Sequence, residues 1–283
     1  MEIHSTRAGG GLAAHIRAHL SELRDTEARV ARVVLDKGAE LVHLSVSDVA
    51  ALAGTAPSSV VRACQRLGFR GYQELKIAAA RQAPAPEPSR DRDPAARALA
   101  DTVRAAREAL DGVAVTVTPE RLRTAAGLFD AAGRVLVVGA GLSGAVALDA
   151  AYRLRALGFA VDVPADPLTA QLVASQLPPE GVCLAISHTG ATRSTVDAAR
   201  RARRAGAKVV ALTSYARSPL SEGSDCTLVA GGQDLVFGLE TVASRLAHLT
   251  VVDALTLTLL GLRGAPAEEA LRLSADVTVD HSY

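Results

Sequence analysis

The sequence predicts an all-α N-terminal segment followed by an α/β domain built around a parallel sheet. Apolar residues recur with helical periodicity, with breaks, through residues 15–81. From Pro119 onward, helical stretches alternate with short runs of β-branched and aliphatic residues that no polar residue interrupts. Such runs are typical of strands covered on both faces, so we expect a three-layer domain with helices on each side of the sheet.

The composition bounds the possible function classes. The chain has 283 residues, enough for two ordinary domains, of which 49% are hydrophobic and 22% charged. These values support a sizeable core and exclude wholesale disorder. Aromatic residues make up only 3% and tryptophan is absent, so a stacking surface for single-stranded nucleic acid has few candidate residues. The net charge of +1 excludes a uniformly basic protein.

The cysteines and apolar stretches indicate the compartment. Cys64, Cys183 and Cys226 lie far apart and form no Cys-x-x-Cys motif, which predicts reduced, buried thiols in a cytoplasmic protein. Residues 1–20 lack the continuous apolar core of a signal peptide. The longest apolar stretch, residues 246–262, contains a histidine and an aspartate, so we expect a core helix and no membrane partner.

Prolines divide the chain. Residues 82–94 hold four prolines among charged residues, the composition of an extended linker. We therefore expect one domain over residues 1–81, with a frayed Gly-rich start, and a second over residues 95–283 that opens with a helix over residues 95–110. The five strands are predicted at 134–138, 160–163, 182–186, 208–213 and 226–229, and the later helices at 119–131, 143–157, 168–176, 192–205 and 238–262.

A basic helix is predicted in the N-terminal segment. Between residues 56 and 81 there are five cationic residues and one anionic residue, a local charge typical of a DNA-binding element. The helix begins at Pro57, a favoured first helical position, and ends before Gly68. Val60, Cys64 and Leu67 form its buried stripe. Its candidate DNA contacts, which lie at its start and on the opposite, outward face, are Thr55, Pro57, Ser58, Ser59, Arg62, Gln65 and Arg66.

These residue types suit a DNA major groove. Serine hydroxyls and a helix N-terminus bind phosphates, and arginine can bind the edge of a guanine base. The alternative is an ordinary amphipathic helix with a solvated basic face. Residues 44–76, with V-A-A-L-A-G followed by S-S-V-V-R-A-C-Q-R-L-G-F-R-G-Y-Q-E-L-K, resemble the N-terminal domain of the RpiR family of regulators that respond to sugar phosphates.

The resemblance implies a helix-turn-helix domain that binds a pseudo-palindromic DNA operator. Paired half-sites require a homodimer or a homotetramer. The family commonly has serine at the position of Ala56, where serine would cap the recognition helix. Alanine is a poorer cap by about 0.5–2 kcal/mol. Either Thr55 replaces that cap or a hydroxyl that contacts phosphate is missing.

Two polar loops follow predicted strands in the second domain. The first, residues 139–144, has the pattern G-x-G-x-x-G, and Asp162 lies about 20 residues further on, as in dinucleotide-binding folds. The second, residues 187–192, reads Ser-His-Thr-Gly-Ala-Thr. A nicotinamide-dependent redox sensor explains the first loop only. With a strand order of 2-1-3-4-5, both loops meet where ligands bind to such sheets.

A bound phosphate explains both loops. Hydroxyls of residues 187–192 and the N–H groups at the start of the 192–205 helix can surround a phosphate. The bland alternative is a polar turn in which Thr192 caps the helix. Ser187-x-Thr189-Gly190-x-Thr192 is similar to the Ser-x-Ser-Gly-x-Thr signature of sugar isomerase (SIS) domains. This resemblance implies a phosphorylated sugar effector bound by Gly141, Ser143, Ser187, His188, Thr189, Gly190, Thr192 and Glu240.

Together, the two resemblances imply a regulator whose operator affinity changes when a sugar phosphate binds, with no cofactor, no metal and no catalytic residue. A sugar-phosphate isomerase or lyase on the same fold is the enzymatic alternative. It requires a histidine or carboxylate beside the sugar carbon, and His188 and Glu240 are the candidates. Glu240 is equally suited to a surface pair with Arg245. His15 and His19 lack further nearby metal ligands, so we expect them on the surface.

Overall fold

The computed structural model describes residues 11–80, 93–231 and 242–280. The N-terminal module consists of five α-helices, with short 3-10 helices at Leu20–Glu22 and Gly38–His43. The helices are α1 (Gly11–His19), α2 (Asp25–Lys37), α3 (Val46–Leu52), α4 (Pro57–Arg66) and α5 (Tyr72–Ala80). Helix α1 already includes residues 11–14, which were expected to fray, because Leu12 and Ala14 are buried there.

One apolar cluster holds the N-terminal module together. Val30 and Val34 of α2 pack with Val49 of α3 and with α4. The predicted buried stripe of α4 is confirmed, since Val60, Cys64 and Leu67 are at most 2% exposed. Burial of this kind stabilises by about 1.5–3 kcal/mol per large apolar side chain. The cluster therefore fixes the orientation of α4 relative to α2 and α3.

The second domain is the predicted three-layer α/β domain. Its strands are β1 (Val135–Gly139), β2 (Val161–Asp162), β3 (Val182–Ile186), β4 (Lys208–Thr213) and β5 (Cys226–Val229). They form one parallel sheet in the predicted order β2-β1-β3-β4-β5. Its helices are α6 (Pro94–Thr116), α7 (Pro119–Asp130), α8 (Leu142–Ala156), α9 (Pro167–Ser175), α10 (Arg193–Arg204), α11 (Val242–Arg263) and α12 (Ala265–Asp280).

The two faces of the sheet have separate cores. Alternate residues of β1 point to opposite faces, so Val135 and Val137 join a core with helices α6, α7, α8 and α11. Leu136 and Val138 join a second core with α9 and α10. Both faces of the central strands are thus covered, which explains why the runs are continuously apolar.

Helix α6 is longer than predicted, α12 is an additional helix, and α11 is unusually apolar. Helix α6 continues to Thr116 because Ala105, Ala109 and Val113 are buried in the sheet-facing core. Helix α12 was not predicted, and its large apolar residues, such as Leu273, are mostly exposed. Helix α11 is long and apolar enough to cross a membrane by length and composition alone, a weak criterion that core helices also pass. One face of it packs in the domain core.

The N-terminal module lies against the second domain. The N–H of Ala216 donates to the carbonyl of Ala18 at 2.7 Å, and the N–H of Arg217 donates to Oγ of Ser21 at 3.2 Å. Helix α1 also packs on α6, where a Cβ on Gly112 would lie only 3.0 Å from Cβ of Ala14. The segment that follows β4 is therefore attached to the end of α1.

Candidate functional site

Helix α4 has an open N-terminus. Ala56 occupies its N-cap position, and no side chain there accepts a hydrogen bond from the first turn. Thr55 therefore does not replace the missing cap. Pro57 is the first helical residue, as predicted. The first N–H groups of this helix carry the positive end of the helix dipole, so they suit a phosphate oxygen.

Most of the predicted contacts on α4 are exposed, but one is not. Pro57, Ser58, Arg62, Gln65 and Arg66 are exposed, and Thr55 is half-buried. The predicted outward orientation of Ser59 is wrong, because this residue is 4% exposed. Its Oγ accepts a hydrogen bond from Nη2 of Arg62 at 3.0 Å. The buried side of α4 is wider than the stripe predicted and also includes Ala63.

The guanidinium of Arg66 forms an ion pair with a buried carboxylate. Its Nε lies 3.1 Å from Oε2 of Glu27, whose side chain is 2% exposed. The same carboxylate accepts a hydrogen bond from the N–H of Arg24 at 3.1 Å. Because Arg66 is itself 46% exposed, it can hold α4 against α2 and still face solvent. The sequence does not indicate this second role of Arg66, because Glu27 lies 39 positions earlier in the chain.

The other predicted basic residues have separate partners. Nζ of Lys76 donates to the carbonyl of Leu44 at 3.0 Å. Arg70 pairs with Glu74 at 3.5 Å, on the surface. Arg81 lies outside the described residues. The exposed positive charge of α4 therefore resides on Arg62 and Arg66.

The loop after β3 is held together by its own hydroxyls. Oγ of Ser187 lies 3.0 Å from Oγ1 of Thr192, and it also accepts a hydrogen bond from the N–H of Gly190 at 3.1 Å. Oγ1 of Thr189 accepts from the N–H of Ala191 at 3.2 Å. Residues 187–192, called the effector loop below, therefore form a closed turn with three hydroxyls.

Only glycine fits at the centre of the effector loop. Gly190 has a φ of +62°, and a Cβ there would lie 2.1 Å from Oγ of Ser218. Its carbonyl accepts a hydrogen bond from the N–H of Leu220 at 2.9 Å. Both conditions fix this residue as glycine, since a side chain would be strained and would collide with a fixed neighbour.

The first turn of α10 has no side-chain cap. Thr192 is the N-cap residue, but its hydroxyl makes no capping hydrogen bond and lies beside Ser187 instead. The alternative interpretation, a polar turn with Thr192 as the helix cap, is therefore right about the position of Thr192 but not about a capping hydrogen bond from its hydroxyl. The first N–H groups of α10 lie next to three hydroxyls, which is a favourable setting for an anion.

The loop after β1 lies beside the effector loop. Gly139 at the end of β1 pairs with Ile186 at the end of β3, so both loops leave the same edge of the sheet. Gly141 has a φ of +58° and precedes α8, where Ser143 is buried. A Cβ on Gly139 would lie 2.6 Å from the carbonyl oxygen of Ser143. The glycines thus let α8 approach the sheet closely.

Asp162 does not lie at this edge. It pairs with Leu136, three residues before the end of β1. Its Oδ2 accepts a hydrogen bond from Nε of Arg134 at 2.7 Å. Asp162 is the last residue of β2, where a dinucleotide site has its carboxylate, but this carboxylate is held by Arg134 beside the start of β1. The placement therefore argues against the nicotinamide alternative.

His188 is buried and hydrogen-bonded. Its Nδ1 lies 2.8 Å from Oγ of Ser214, and its carbonyl accepts from the N–H of Ser214 at 3.0 Å and from Oγ1 of Thr213 at 3.1 Å. His248 extends this group, and neither Ser214 nor His248 was selected from the sequence. Glu240 lies outside the described residues. Within residues 11–80, 93–231 and 242–280, no group of three or more His, Cys, Asp or Glu could hold a metal ion.

His15 and His19 are not a surface pair. Nε2 of His15 lies 2.8 Å from the carbonyl of Leu67, and Nδ1 of His19 lies 2.9 Å from the carbonyl of His15. Burial is the main cause that lowers the pKa of His15. These two side chains therefore belong to the packing between α1 and the end of α4.

Comparison with known proteins agrees with this architecture. Residues 10–85 match the helix-turn-helix domain of the rpiR family, and residues 128–258 match the SIS domain. An uncharacterized HTH-type transcriptional regulator of Caldanaerobacter subterraneus is 30% identical over 245 residues, which cover 85% of this chain and 87% of that protein. The HTH-type transcriptional regulator HexR of Pseudomonas aeruginosa is 30% identical over 278 residues, 95% of either chain.

A solved structure has the same fold over nearly the whole chain. The Vibrio vulnificus NanR protein complexed with ManNAc-6P is similar with a TM-score of 0.61 and 24% identity, covering 96% of this chain and 99% of that one. The fold and the two sites define a DNA-binding transcriptional regulator with a SIS domain. The chain belongs to the RpiR family of HTH-type transcriptional regulators.

Proposed function

We propose that the effector loop and Ser143 bind the phosphate of a phosphorylated sugar, and that this binding changes the affinity of α4 for its DNA operator. The observation that carries the proposal is the start of α10, where Thr192 leaves the helix uncapped and places its hydroxyl beside Ser187. Neutral hydroxyl and N–H donors can hold a phosphate and release it again, which suits a sensor.

The sugar is expected to lie over the neighbouring loop. Gly141 and Ser143 follow β1 at the same sheet edge, next to the effector loop. The side chain of Arg193 is 96% exposed and lies 3.7 Å from Asp197, so it is directed to solvent and to that carboxylate. The binding of ManNAc-6P by NanR, which has the same fold, supports a sugar phosphate as the class of effector.

The DNA contacts are assigned to the exposed part of α4. Arg62 and Gln65 are the proposed base contacts, and Ser58 and the open helix start are proposed to bind phosphates. Thr55, Pro57 and Arg66 lie around this surface. Buried Ser59 is proposed to orient Arg62 through their 3.0 Å hydrogen bond rather than to contact DNA.

A second copy of the chain completes the proposed assembly. Leu148 and Tyr152 on α8, and Leu257 on α11, are each more than 60% exposed, an apolar surface that suits self-association. A homodimer or homotetramer would present two recognition helices to a pseudo-palindromic operator. We propose a cytoplasmic protein with domains at residues 1–81 and 95–283. Of the predicted linker at residues 82–94, residues 82–92 lie outside the described residues, and Pro94 already begins α6.

Catalysis is not part of the proposal. An isomerase needs a side chain that takes a proton from the sugar carbon. The Nδ1 of His188 is engaged with Ser214 inside the domain. Turnover of a panel of sugar phosphates by the purified protein would instead support the enzymatic alternative.

A thermal-shift screen tests the proposed effector class. The panel includes aldose and ketose phosphates, ManNAc-6P, the unphosphorylated sugars, inorganic phosphate and NAD. A ligand present at a concentration 100 times its dissociation constant stabilises the folded protein by about 2.7 kcal/mol. We expect a shift with at least one sugar phosphate and none with its unphosphorylated form or NAD.

Variants then locate the site. Thr192→Ala should remove the shift, whereas Thr124→Ala should retain it, because Thr124 lies on α7 and bonds only to the carbonyl of Glu120. A shift with NAD alone, or an unchanged sugar-phosphate affinity in Thr192→Ala, would contradict the assignment.

A further inference from the structure

A chain of buried hydrogen bonds leads from the effector loop into the domain. Nδ1 of His188 lies 2.8 Å from Oγ of Ser214, and the same Oγ lies 3.2 Å from Nε2 of His248. Nε2 of His248 also lies 2.9 Å from the carbonyl oxygen of Ala230. Ser214, His188 and His248 are at most 8% exposed. Bulk water therefore does not compete for these contacts.

The Ala230 carbonyl, at the end of this series of hydrogen bonds, fixes the proton on His248. The Ala230 carbonyl can only accept, so Nε2 of His248 carries a proton and donates it. Ser214 then receives a share of that proton and has its own hydroxyl proton available for Nδ1 of His188. Burial and the nearby His188 lower the pKa of His248 to about 4, which keeps its ring neutral near pH 7. Donation then runs from α11 toward the effector loop when Nδ1 of His188 is the unprotonated ring nitrogen.

The same short segment is attached to the DNA-binding module. Ser214 is the first residue after β4. Two and three residues further on, the N–H groups of Ala216 and Arg217 donate to the carbonyl of Ala18 and to Oγ of Ser21 in the N-terminal module. The N–H of Ser214 itself donates to the carbonyl of His188 at 3.0 Å. Residues 214–217 thus bond to the effector loop at one end and to the N-terminal module at the other.

The surroundings of this segment combine tight packing with open space. A Cβ on Gly231 would lie 2.4 Å from both Cβ and Oγ of Ser214, so Gly231 packs directly against the serine side chain. A cavity of about 250 Å³ lies beside this segment and is lined by Ser214 and Gly231 as well as by residues of the N-terminal module. Ala14, Arg17, His188 and Tyr215 contribute to its lining. The segment therefore has open space beside it into which it can shift.

We propose that Ser214 and His248 are positioning residues that transmit occupancy of the effector loop, through residues 214–217, to the contacts with Ala18 and Ser21. This inference rests on the proposed function. A ligand that displaces the effector loop would move His188, and the shared hydrogen bonds would carry that movement to Ser214. The orientation of the N-terminal module would then depend on whether the effector loop holds a ligand. Such coupling requires that residues 214–217 adopt one position when the loop is empty and another when it is filled.

Hydrogen exchange on the full-length protein tests the relay without a ligand. Ser214→Ala removes the bridging hydroxyl, and we expect the amides of Ala216 and Arg217 to exchange about tenfold faster than in the wild type. Gly231→Ala should have the same effect, because it keeps the hydroxyl but displaces it. The matched control is Ser175→Ala, since Ser175 bonds to the carbonyl of Gln171 on α9. Unchanged exchange at both amides in Ser214→Ala and Gly231→Ala overturns the proposal.

Inorganic phosphate serves as the probe for occupancy. In the wild type, phosphate should slow exchange in residues 187–192 and alter it at Ala216 and Arg217. In Ser214→Ala, residues 187–192 should still respond, whereas the two amides should not. An equal response of these amides in the variant overturns the relay. If residues 187–192 do not respond in the wild type, the phosphate site itself fails, and the comparison without ligand still decides on the relay.

Discussion

The two proposed binding sites, helix α4 and the effector loop, are built in opposite ways. Helix α4 presents long, exposed arginine side chains on a helix whose position is fixed by burial of its other face. The effector loop presents short hydroxyls that are already held by hydrogen bonds within the loop, and Ser187 is 1% exposed. We therefore expect the arginines of α4 to adapt their side chains to DNA, whereas the effector loop is already formed without a ligand.

The difference predicts how each site tolerates change. Removing one arginine from α4 should weaken DNA binding by a moderate amount and leave the fold intact, because no buried group depends on Arg62 except Ser59. Changing the effector loop should remove ligand binding altogether, because its backbone conformation depends on each member. Damage to one site should leave direct binding at the other unchanged.

Gly190→Ala should have the strongest consequence. A side chain at φ +62° is strained, and the new Cβ would meet Oγ of Ser218 at 2.1 Å, so the loop must shift. We expect sugar-phosphate affinity to fall by about 100-fold or more. Isothermal titration measures it, with Gly127→Ala as control, since a Cβ at Gly127 meets nothing within 4 Å. Wild-type affinity in Gly190→Ala would show that the loop is not prebuilt.

Arg62→Ala should weaken operator binding by about 1–3 kcal/mol. The operator can be selected from a pool of random double-stranded DNA, and fluorescence anisotropy then gives the dissociation constant. Arg272→Ala removes the same charge from α12, where Arg272 pairs with Glu269, and should leave affinity unchanged. An equal loss in both variants would mean that net charge, rather than a specific contact, governs binding. Sugar-phosphate affinity should be normal in Arg62→Ala.

Stability should fall in acid because of His248. Burial lowers the pKa of this ring from 6.5 to about 4 in the folded protein. As the pH falls below 6.5, the unfolded chain takes up a proton that the folded chain does not, so unfolding becomes more favourable. This group alone should cost about 2 kcal/mol between pH 7 and pH 5. Urea unfolding at pH 7 and at pH 5, in the wild type and in His248→Phe, isolates the contribution of His248. The same pH dependence in both proteins would contradict this origin.

Glu27→Gln should have the mildest effect, and it should be confined to the N-terminal module. The amide keeps the size of the carboxylate but loses the ion pair with Arg66, whose side chain is 46% exposed and therefore partly screened. We expect the free energy of unfolding to fall by about 1 kcal/mol. Urea unfolding measures it, and sugar-phosphate affinity should not change. A loss of effector binding in this variant would mean that the two regions are not separable.

Much of the fold follows from the sequence because its patterns are local. The apolar runs place β3, β4 and β5 at the residues observed, and β1 within one residue. Helix α12 could not be predicted, because most of its large apolar residues, such as Leu273, are exposed and its fully buried residue, Ala267, is small. The buried position of Ser59 also depends on neighbours in other helices, which periodicity in α4 alone does not show.

The residues of the candidate sites likewise include some that lie in one local motif and others that only the fold brings together. The effector loop is one continuous motif, so the sequence indicates all of its hydroxyls. Ser214 and His248 lie 26 and 60 positions beyond His188 and carry no motif, and only the fold brings them together. Glu27 and Arg66 are likewise distant in sequence and adjacent in space.

We propose that one sugar phosphate controls DNA binding through the effector loop. The most direct measurement is the operator dissociation constant of the wild type and of Thr192→Ala, each with and without the sugar phosphate found in the screen. We predict a wild-type change of about 5–150-fold and no change in Thr192→Ala, with equal operator affinity of the two proteins when no ligand is present. A wild-type operator affinity that ignores the bound sugar phosphate, or an undiminished response in Thr192→Ala, would contradict the claim.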